Sequence, residues 1–321
     1  MKRELHEYER VVSMEGTHYL DRLIGEGTFR FDRLVISSID NEPIIELYGE
    51  DYRRVETNLF HQEVKKGDEY MEMLHRFVLY GLCNKSPAPV VRFADGEYAF
   101  YDHNLHCNGL YQQAESIGQI NAAIPMHLHA LETLQQIGKI TPVIYPGNVQ
   151  RKGKRLFSFL RKSKGDDSAI RFLDFLYDNK IELNGENYIP FFVVYAFLTS
   201  KRFSKMVDGR NLNVINSECR MTSVNHWFER FFSHPKITFT EIPDSYVATR
   251  WGEIKKDVLS RIPQDTDLCL VGAGAGSLLV CVDVAQQFGI PAIDAGHVLN
   301  MMNGLEEKSN GPRLYTIHKN E

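Results

Sequence analysis

The segment Leu268–Asn300 constrains the fold more than any other part of the chain. It begins as a short apolar strand, turns through Val-Gly-Ala-Gly-Ala-Gly-Ser, continues as an apolar helix and returns to a strand that ends in Asp294-Ala-Gly-His297. A glycine-rich turn of this kind leaves backbone N–H groups pointing outward at the start of a helix, where they can bind the phosphates of a nucleotide. The segment therefore predicts a strand–helix–strand unit of a parallel sheet with a nucleotide site at its end.

From residue 68 onward, short apolar or β-branched segments alternate with segments of helical periodicity. The predicted strands are Pro89–Phe93, Ile140–Tyr145, Leu212–Ile215, Ile237–Ile242, Leu268–Val271 and Ala292–Asp294. The predicted helices include Tyr70–Leu82, Ser168–Asn179 and Trp251–Leu259. This alternation predicts an α/β fold of the Rossmann-like kind, with a largely parallel sheet flanked by helices.

The first 65 residues follow a different pattern. Thr28–Ser37 and Glu42–Tyr48 alternate around Asp40 and Asn41 in the manner of a β-hairpin. We therefore predict an N-terminal extension over residues 1–65 that contains a hairpin, followed by one α/β domain over residues 66–321.

Composition excludes several classes of protein. The net charge is −5 with acidic and basic residues interleaved, so the chain lacks the basic face of a nucleic-acid binder. The five cysteines have no CxxC spacing, which argues against a zinc site or a disulfide framework. The longest apolar run, Phe191–Leu198, is too short to span a bilayer, and the first residues lack the apolar core of a signal peptide. We expect a cytoplasmic protein without a transmembrane segment, in which peripheral contact with a membrane stays open.

An acidic turn follows the first predicted strand of the α/β domain. Asp95 and Glu97 are two residues apart at the end of that strand, where open α/β sheets bind their ligands. Two such carboxylates can hold a divalent cation that also contacts a diphosphate, and Gly96 lets the ligand approach. The same residues also fit an ordinary strand-to-helix turn with a capping acid. Arg92, on an otherwise apolar strand, needs a partner, which a phosphate or Asp95 can provide.

Other polar residues follow the ends of later strands. Glu218, Arg220 and Asn225 come after the strand that ends at Ile215, and they can face the same crevice. Asp294 follows the glycine turn at about the distance of a ribose-binding acid, and His297 can contact a diphosphate or act as a base. Each also has a structural reading, as a residue at a helix start or in packing. The histidine pairs His103/His106 and His127/His129 are interpreted as surface or packing residues.

These segments, in their order and spacing, resemble the GT-D-fold glycosyltransferases, a family first described as a bacterial domain of unknown function. Arg92-Phe-Ala-Asp-Gly-Glu97 resembles the family's Arg-Phe-Gly-Asp-Gly-Glu motif, and Ala292-Ile-Asp-Ala-Gly-His297 resembles its Ala-Ile-Asp-Ile-Gly-His. The resemblance spans residues 70–305. The chain departs from the family pattern at Ala94, at the turn Gly272–Gly276, which lacks Pro and Thr, and after His297, where acidic and aromatic residues are common in the family.

The resemblance implies a GT-D-type sheet and a metal-dependent glycosyltransferase of the hexosyltransferase type. The implied cofactor is Mn²⁺ or Mg²⁺, the donor is a nucleotide-sugar, with a UDP-sugar favoured, and the acceptor is a hydroxyl of a glycan, glycoprotein or lipid-linked molecule. The implied metal ligands are Asp95 and Glu97, and the candidate catalytic bases are Glu218 and Asp294. The implied donor-binding residues are Arg92, Phe93, Gly96, Arg220, Asn225, Gly274, Ala275, Gly276, Ser277 and His297.

Two other functions are compatible with the sequence. A non-catalytic nucleotide-binding or regulatory protein on the same fold is suggested by the altered residues after His297. A S-adenosylmethionine- or NAD-dependent enzyme is suggested by the glycine turn alone, but this reading leaves Asp95 and Glu97 without a role.

Overall fold

A small antiparallel sheet precedes the α/β domain. The structure, a computed structural model, describes residues 9–12, 34–40, 54–60, 67–105, 113–143 and 168–305. The small sheet contains β1 (Glu9–Val12), β2 (Leu34–Asp40) and β3 (Arg54–Phe60) in the order β1-β2-β3. Both pairings are antiparallel, so the prediction of antiparallel strands in the N-terminal extension is confirmed.

Among the described residues, β2 has two partner strands. β2 pairs with β1 on one edge and with β3 on the other. β3 also alternates apolar or β-branched residues with polar ones, and this equally suitable partner was overlooked. Glu42–Tyr48 itself and the predicted domain boundary near residue 65 lie outside the described residues.

The main sheet has six strands, all parallel, in the order β5-β4-β9-β8-β6-β7. The predicted parallel sheet is therefore confirmed. Its strands are β4 (Ala88–Phe93), β5 (Lys139–Pro142), β6 (Asn211–Asn216), β7 (Lys236–Glu241), β8 (Leu268–Val271) and β9 (Pro291–Asp294). The inner strands β4, β8 and β9 are fully buried, and β6 is buried except at its two ends, which explains why these strands are apolar runs rather than alternating segments.

Helices pack around this sheet. They are α1 (Gly67–Asn84), α2 (Asp95–Tyr101), α3 (Ile117–Ile137), α4 (Ser168–Asp178), α5 (Phe191–Leu198), α6 (Lys201–Val207), α7 (Met221–Glu229), α8 (Val247–Arg261), α9 (Ser277–Phe288) and α10 (His297–Met302). The predicted helices correspond to α1, α4 and α8. Among the described residues, no helix is long and apolar enough to cross a membrane.

Local sequence accounts for how the helices begin and end. The Ser116 hydroxyl accepts a hydrogen bond from the backbone N–H of Gln119 and caps α3. α9 ends at Gly289, whose φ of +64° is the left-handed conformation that favours glycine at a helix end. α5 is apolar throughout, and it lies in the core rather than on the surface.

Candidate active site at the carboxyl edge of the sheet

Four neighbouring strands carry all the candidate segments. β4, β9, β8 and β6 are adjacent in that order, and their carboxyl ends meet because the strands are parallel. This carboxyl edge contains the acidic turn after β4, the Gly296 turn after β9, the glycine turn after β8 and the loop after β6. Segments that are far apart in the sequence therefore meet at one edge of the sheet.

The connections of β8 and β6 run in opposite directions. β8 leads through α9 to β9 on one side, whereas β6 leads through α7 to β7 on the other. Ligands of open α/β sheets bind at such a switch point. The two turns approach closely here, since a Cβ on Gly272 would lie 3.1 Å from Asn216 Oδ1. The absence of a side chain at Gly272 allows this approach.

Arg92 and Asp294 form a buried ion pair between β4 and β9. Arg92 Nη2 lies 2.8 Å from Asp294 Oδ1, Arg92 Nε donates to the Asp294 carbonyl oxygen at 2.7 Å, and the Arg92 backbone N–H donates to Asp294 Oδ2 at 3.3 Å. Burial lowers the pKa of the Arg92 guanidinium, but the charge of Asp294, the hydrogen bond to Asp294 and the nearby Tyr195 and Glu97 together outweigh burial and raise this pKa. The partner that Arg92 needs is therefore Asp294.

Aromatic rings and a glycine enclose the guanidinium. Its Cζ lies 5.0 Å from the ring centroid of Phe191 and 4.8 Å from that of Tyr195, within the range of cation–π attraction. Gly296 also lies against the guanidinium: it has a φ of +43°, and a Cβ there would overlap Arg92 Nη2. Gly296 therefore has both a conformational and a steric reason to be glycine.

The acidic turn opens α2. Asp95 is its first residue, and Glu97 Oε2 accepts a hydrogen bond from the Ala94 backbone N–H at 2.8 Å. Burial, followed by the charge of Asp294, raises the pKa of Glu97 to about 7. A Cβ on Gly96 would meet nothing within 4 Å, so there is open space beside the turn. Glu97 thus caps its own helix, and the space beside the turn is accessible to a ligand.

Phe93 belongs to the core rather than to the carboxyl edge. It is 1% exposed, and its ring stacks on Phe172 with centroids 4.9 Å apart. Its side chain supports the strand that carries the acidic turn.

The glycine turn is held by its own chain. Gly274 has a φ of +53°, and a Cβ there would lie 2.7 Å from the amide nitrogen of Gln113. Gln113 Oε1 accepts a hydrogen bond from the Ala275 N–H at 3.0 Å, and Ser277 Oγ accepts one from the Ala273 N–H at 3.1 Å. Two N–H groups of the predicted phosphate site are therefore bonded within the protein in this structure.

His127 connects the acidic-turn helix to a segment that packs on the glycine turn. Its Nδ1 lies 2.9 Å from the Tyr101 hydroxyl and its Nε2 2.8 Å from the Ala248 carbonyl oxygen. Because a carbonyl oxygen only accepts, Nε2 donates and Nδ1 accepts from Tyr101. Burial lowers the pKa of His127 to about 4, so the ring is neutral. A Cβ on Gly276 would lie 2.9 Å from the Ala248 backbone nitrogen, which places this segment against the turn.

The loop after β6 presents an exposed pair of charges. Glu218 Oε1 lies 3.2 Å from Arg220 Nε, and the two side chains are 39% and 47% exposed. Asn303, which is fully buried, fixes the loop, since its Oδ1 accepts from the Arg220 N–H at 2.8 Å and its Nδ2 donates to the Glu218 carbonyl oxygen at 3.2 Å. Asn216 Nδ2 donates to the same carbonyl at 3.1 Å.

Two further candidates lie at the start or on the surface of helices. His297 is the first residue of α10 and is half-buried beside Gly296. Asn225 lies on the exposed side of α7, and no hydrogen bond joins it to the other candidates within the described ranges. His297 therefore shares the carboxyl edge, whereas Asn225 faces solvent.

Three residues of the site were not found by sequence reasoning. Gln113 contacts the glycine turn from a distant part of the chain, and no sequence signal marks it. Asn216 ends an apolar strand with a polar residue, which is a usable signal. Asn303 lies in the stretch after His297 where the sequence differs from the family pattern. That difference is a signal that could have pointed to the residue.

Comparison with known protein families gives a match over part of the chain. The family model of the GT-D fold-like domain matches residues 171–302. This segment is similar to a GT-D fold-like domain. The match contains β6 to β9, and with them the glycine turn, the Gly296 turn and the Glu218 loop. The acidic turn after β4 lies outside the matched residues, and the sheet brings it beside the GT-D-like segment.

Two solved structures are similar to the chain at low identity. One is described as the selenomethionine-substituted structure of domain of unknown function 1792, with 15% identity, a TM-score of 0.44, and coverage of 80% of this chain and 88% of that chain. The other is described as the highly conserved domain of unknown function 1792 with a distinct glycosyltransferase fold, with 14% identity, a TM-score of 0.42 and the same coverage. No curated protein matches the chain.

Proposed function

We propose that the protein is a metal-dependent glycosyltransferase that moves a sugar from a nucleotide-diphosphate donor, with a UDP-sugar favoured, to a hydroxyl acceptor on a glycan, glycoprotein or lipid-linked molecule. The observation that carries this proposal is the meeting of the acidic turn with the glycine turn and the Glu218 loop at the carboxyl edge of a GT-D-like domain. A glycosyltransferase must bind the phosphates of its donor, offset their negative charge and activate its acceptor. The glycine turn, the acidic turn and the Glu218 loop provide groups suited to these three tasks in that order.

Asp95 and Glu97 would hold Mn²⁺ or Mg²⁺. Among the described residues there is no group of three or more His, Cys, Asp or Glu side chains that could hold a metal by themselves. Mg²⁺ is commonly held by one or two carboxylates plus substrate phosphates and water, so two carboxylates beside open space fit such an ion. When bound, the ion would offset the negative charge that grows on the leaving diphosphate.

Arg92 and Asp294 would hold the neighbouring ends of β4 and β9 in place beside this metal site. Arg92 occupies both carboxylate oxygens of Asp294 in the described arrangement, which makes Asp294 a poor proton acceptor. The pair instead fixes the β9 end beside the acidic turn, and it holds Gly296 and the start of α10 in place. We assign Arg92 and Asp294 to positioning rather than to contact with the donor.

Glu218 is the better candidate for the base that deprotonates the acceptor. Its carboxylate is half-exposed at the carboxyl edge, and its neighbour Arg220 can contact a phosphate oxygen. Asn303 and Asn216 hold the loop backbone, which keeps the Glu218 side chain near one position. Fixing a general base in this way is worth about 10²- to 10⁴-fold in rate.

The donor phosphates would lie at the glycine turn, near the exposed residue Gly274.

The second candidate function is a non-catalytic nucleotide-binding protein. It is favoured by the hydrogen bonds that already engage Asp294 and the Ala275 N–H within the chain. Such a protein would bind nucleotide without breaking the bond between sugar and phosphate.

The test is a thermal-shift screen followed by a turnover assay. UDP, GDP, CDP, UDP-sugars, NAD and S-adenosylmethionine are each added to the full chain with and without Mn²⁺, since a ligand that binds only the folded state raises the melting temperature. A rise with one nucleoside diphosphate that requires Mn²⁺, together with release of that diphosphate from its sugar, supports a transferase. A rise without turnover supports the non-catalytic candidate. A metal-independent rise with NAD or S-adenosylmethionine contradicts both.

A further inference from the structure

Phe232 combines two unfavourable features. It is 90% exposed, more than any other large hydrophobic residue among those the structure describes. It also has a φ of +54°, a left-handed conformation that is costly for a bulky residue. At this exposure the ring buries little apolar surface that could offset either cost. A residue of this kind indicates a role outside the folding of its own chain.

The backbone position explains where the strain comes from. The Ser233 N–H donates to the Phe228 carbonyl at 3.2 Å, and the Phe232 N–H donates to the Glu229 carbonyl at 3.0 Å. These two bonds form the Schellman ending of α7, in which glycine usually occupies the position of Phe232. Glycine would therefore be better for folding at this position.

Exposed basic residues lie on the segments next to Phe232. Ser233 Oγ donates to the Ser204 carbonyl at 2.6 Å, which brings the turn against α6 beside Lys205. The backbone of Lys236 donates to the Arg210 carbonyl at 2.8 Å and fixes the start of β7 in the same region. We call the group formed by Phe232 and its exposed basic neighbours the Phe232 surface; its members are Lys205, Arg230, Phe232, His234 and Lys236.

The charge of this surface is opposite in sign to that of the whole protein. The chain carries a net charge of −5, yet Lys205, Arg230 and Lys236 form no ion pair with any residue of the described part of the chain. The two acidic residues nearby have other partners. Glu229 Oε2 lies 3.6 Å from His226 Nδ1, and Asp208 Oδ1 accepts a hydrogen bond from the His234 backbone N–H. An exposed ring beside free cations thus suits a partner that is apolar inside and anionic outside.

We propose that the Phe232 surface docks the protein on an anionic lipid bilayer. A single aromatic ring is too small for a stable protein interface, which buries about 1,200 Å² or more. A bilayer needs only a ring that enters the headgroup region and cations that face anionic lipids. This proposal is independent of the proposed enzymatic function.

The surface lies at the amino end of β7, whereas the candidate site lies at the carboxyl edge. Docking by Phe232 therefore leaves the candidate site facing water, where a water-soluble ligand can reach it.

The test is co-sedimentation of the full chain with vesicles. Vesicles of phosphatidylcholine with phosphatidylserine are compared with vesicles of phosphatidylcholine alone, at low and high salt. The key variant is Phe232→Gly, which removes the ring and suits the left-handed backbone. It should have an unchanged or higher melting temperature and bind anionic vesicles about ten-fold more weakly or worse. Lys205→Gln and Lys236→Gln should each weaken binding about five-fold.

Lys256→Gln is the matched control, because Lys256 is an exposed lysine on α8, outside the Phe232 surface. It should bind as the wild type does, and salt should weaken the binding of both. The proposal is overturned if the wild type does not sediment with anionic vesicles or binds neutral vesicles equally well. It is also overturned if Phe232→Gly binds as tightly as the wild type, or if Lys256→Gln loses as much binding as the two other lysine variants.

Discussion

The two ion pairs of the carboxyl edge differ in burial. Arg92 and Asp294, at the ends of β4 and β9, have side chains that are 8% and 5% exposed, whereas Glu218 and Arg220, after β6, are 39% and 47% exposed. A buried pair is hard to break because one charge would remain without a partner, while an exposed pair is solvated and contributes little to folding. The β4–β9 half of the site is therefore a rigid support, and the β8–β6 half is where a ligand can displace existing contacts.

The largest expected effect comes from breaking the buried pair. Arg92→Met leaves the Asp294 carboxylate buried without its partner, and we expect the free energy of unfolding to fall by about 3–5 kcal/mol. Arg220→Met, the matched change in the exposed pair, should cost less than about 1 kcal/mol. Urea unfolding followed by circular dichroism measures both. Equal losses would contradict the contrast between the two halves.

A second test concerns His127, which links the two halves. Its pKa is lowered from 6.5 to about 4, so the unfolded chain takes up a proton that the folded chain does not. The contribution of neutral His127 to the free energy of unfolding is therefore complete above pH 6.5. It is lost as the pH falls towards 4, by up to about 3 kcal/mol. Glu97 acts with the opposite sign, because its pKa is raised from 4.5 to about 7 and protonation favours its folded form.

The measurement is therefore a difference between variants. Unfolding free energies of the wild type, His127→Gln and the exposed control His129→Gln are compared between pH 7 and pH 4, where the control should follow the wild type. The difference between wild type and His127→Gln should shrink with falling pH. A constant difference would mean that folding does not lower the pKa of His127.

Two glycines sharpen the comparison further. Gly296→Ala forces a Cβ into Arg92 at a positive φ, and we expect a loss of about 2 kcal/mol. Gly96→Ala meets open space within α2, and it should be neutral or stabilise the protein by about 0.5 kcal/mol. Thermal unfolding measures both variants, and Gly296→Ala should have the lower melting temperature. Similar melting temperatures would show that the Arg92 side chain moves aside easily.

Glu218→Gln should have the smallest effect on folding and still disable the site. Its side chain is half-exposed, so we expect a change below about 0.5 kcal/mol in unfolding free energy. If Glu218 is the base, transfer to the acceptor should fall by about 10²-fold or more. The ratio of acceptor transfer to donor binding measures this role. Undiminished transfer would leave the base to another residue.

Much of the main sheet could be predicted from its sequence. All six strands were predicted within a few residues. The five strands other than β7 are mostly buried apolar runs with clear ends, and β7 is rich in β-branched residues. The helix α3 was not predicted, since Pro125 lies within it and hides its periodicity. β3 was overlooked although it is the next described strand after β2, because its alternation of apolar and polar residues lacks clear ends.

The site could be predicted in its parts but not in its contacts. Turn residues after buried strands carry a signal, so Asp95, Glu218 and the glycine turn could be selected as candidates, and the structure brings them to one edge of the sheet. Which charge meets Arg92 depends on the order of the strands, and β4 lies beside β9 only in the folded sheet. Gln113 reaches the glycine turn from a segment without any pattern of its own. Such partners depend on tertiary structure rather than on spacing.

The most direct test of the central claim is Mn²⁺-dependent turnover of nucleotide-sugars by the wild type, Asp95→Asn and Asp102→Asn. Asp102 is an exposed aspartate at the other end of the same helix, where it pairs with Arg171. We predict that the wild type and Asp102→Asn release nucleoside diphosphate from one donor class, and that folded Asp95→Asn does not. Full activity of Asp95→Asn would contradict a metal-dependent transferase site at the acidic turn.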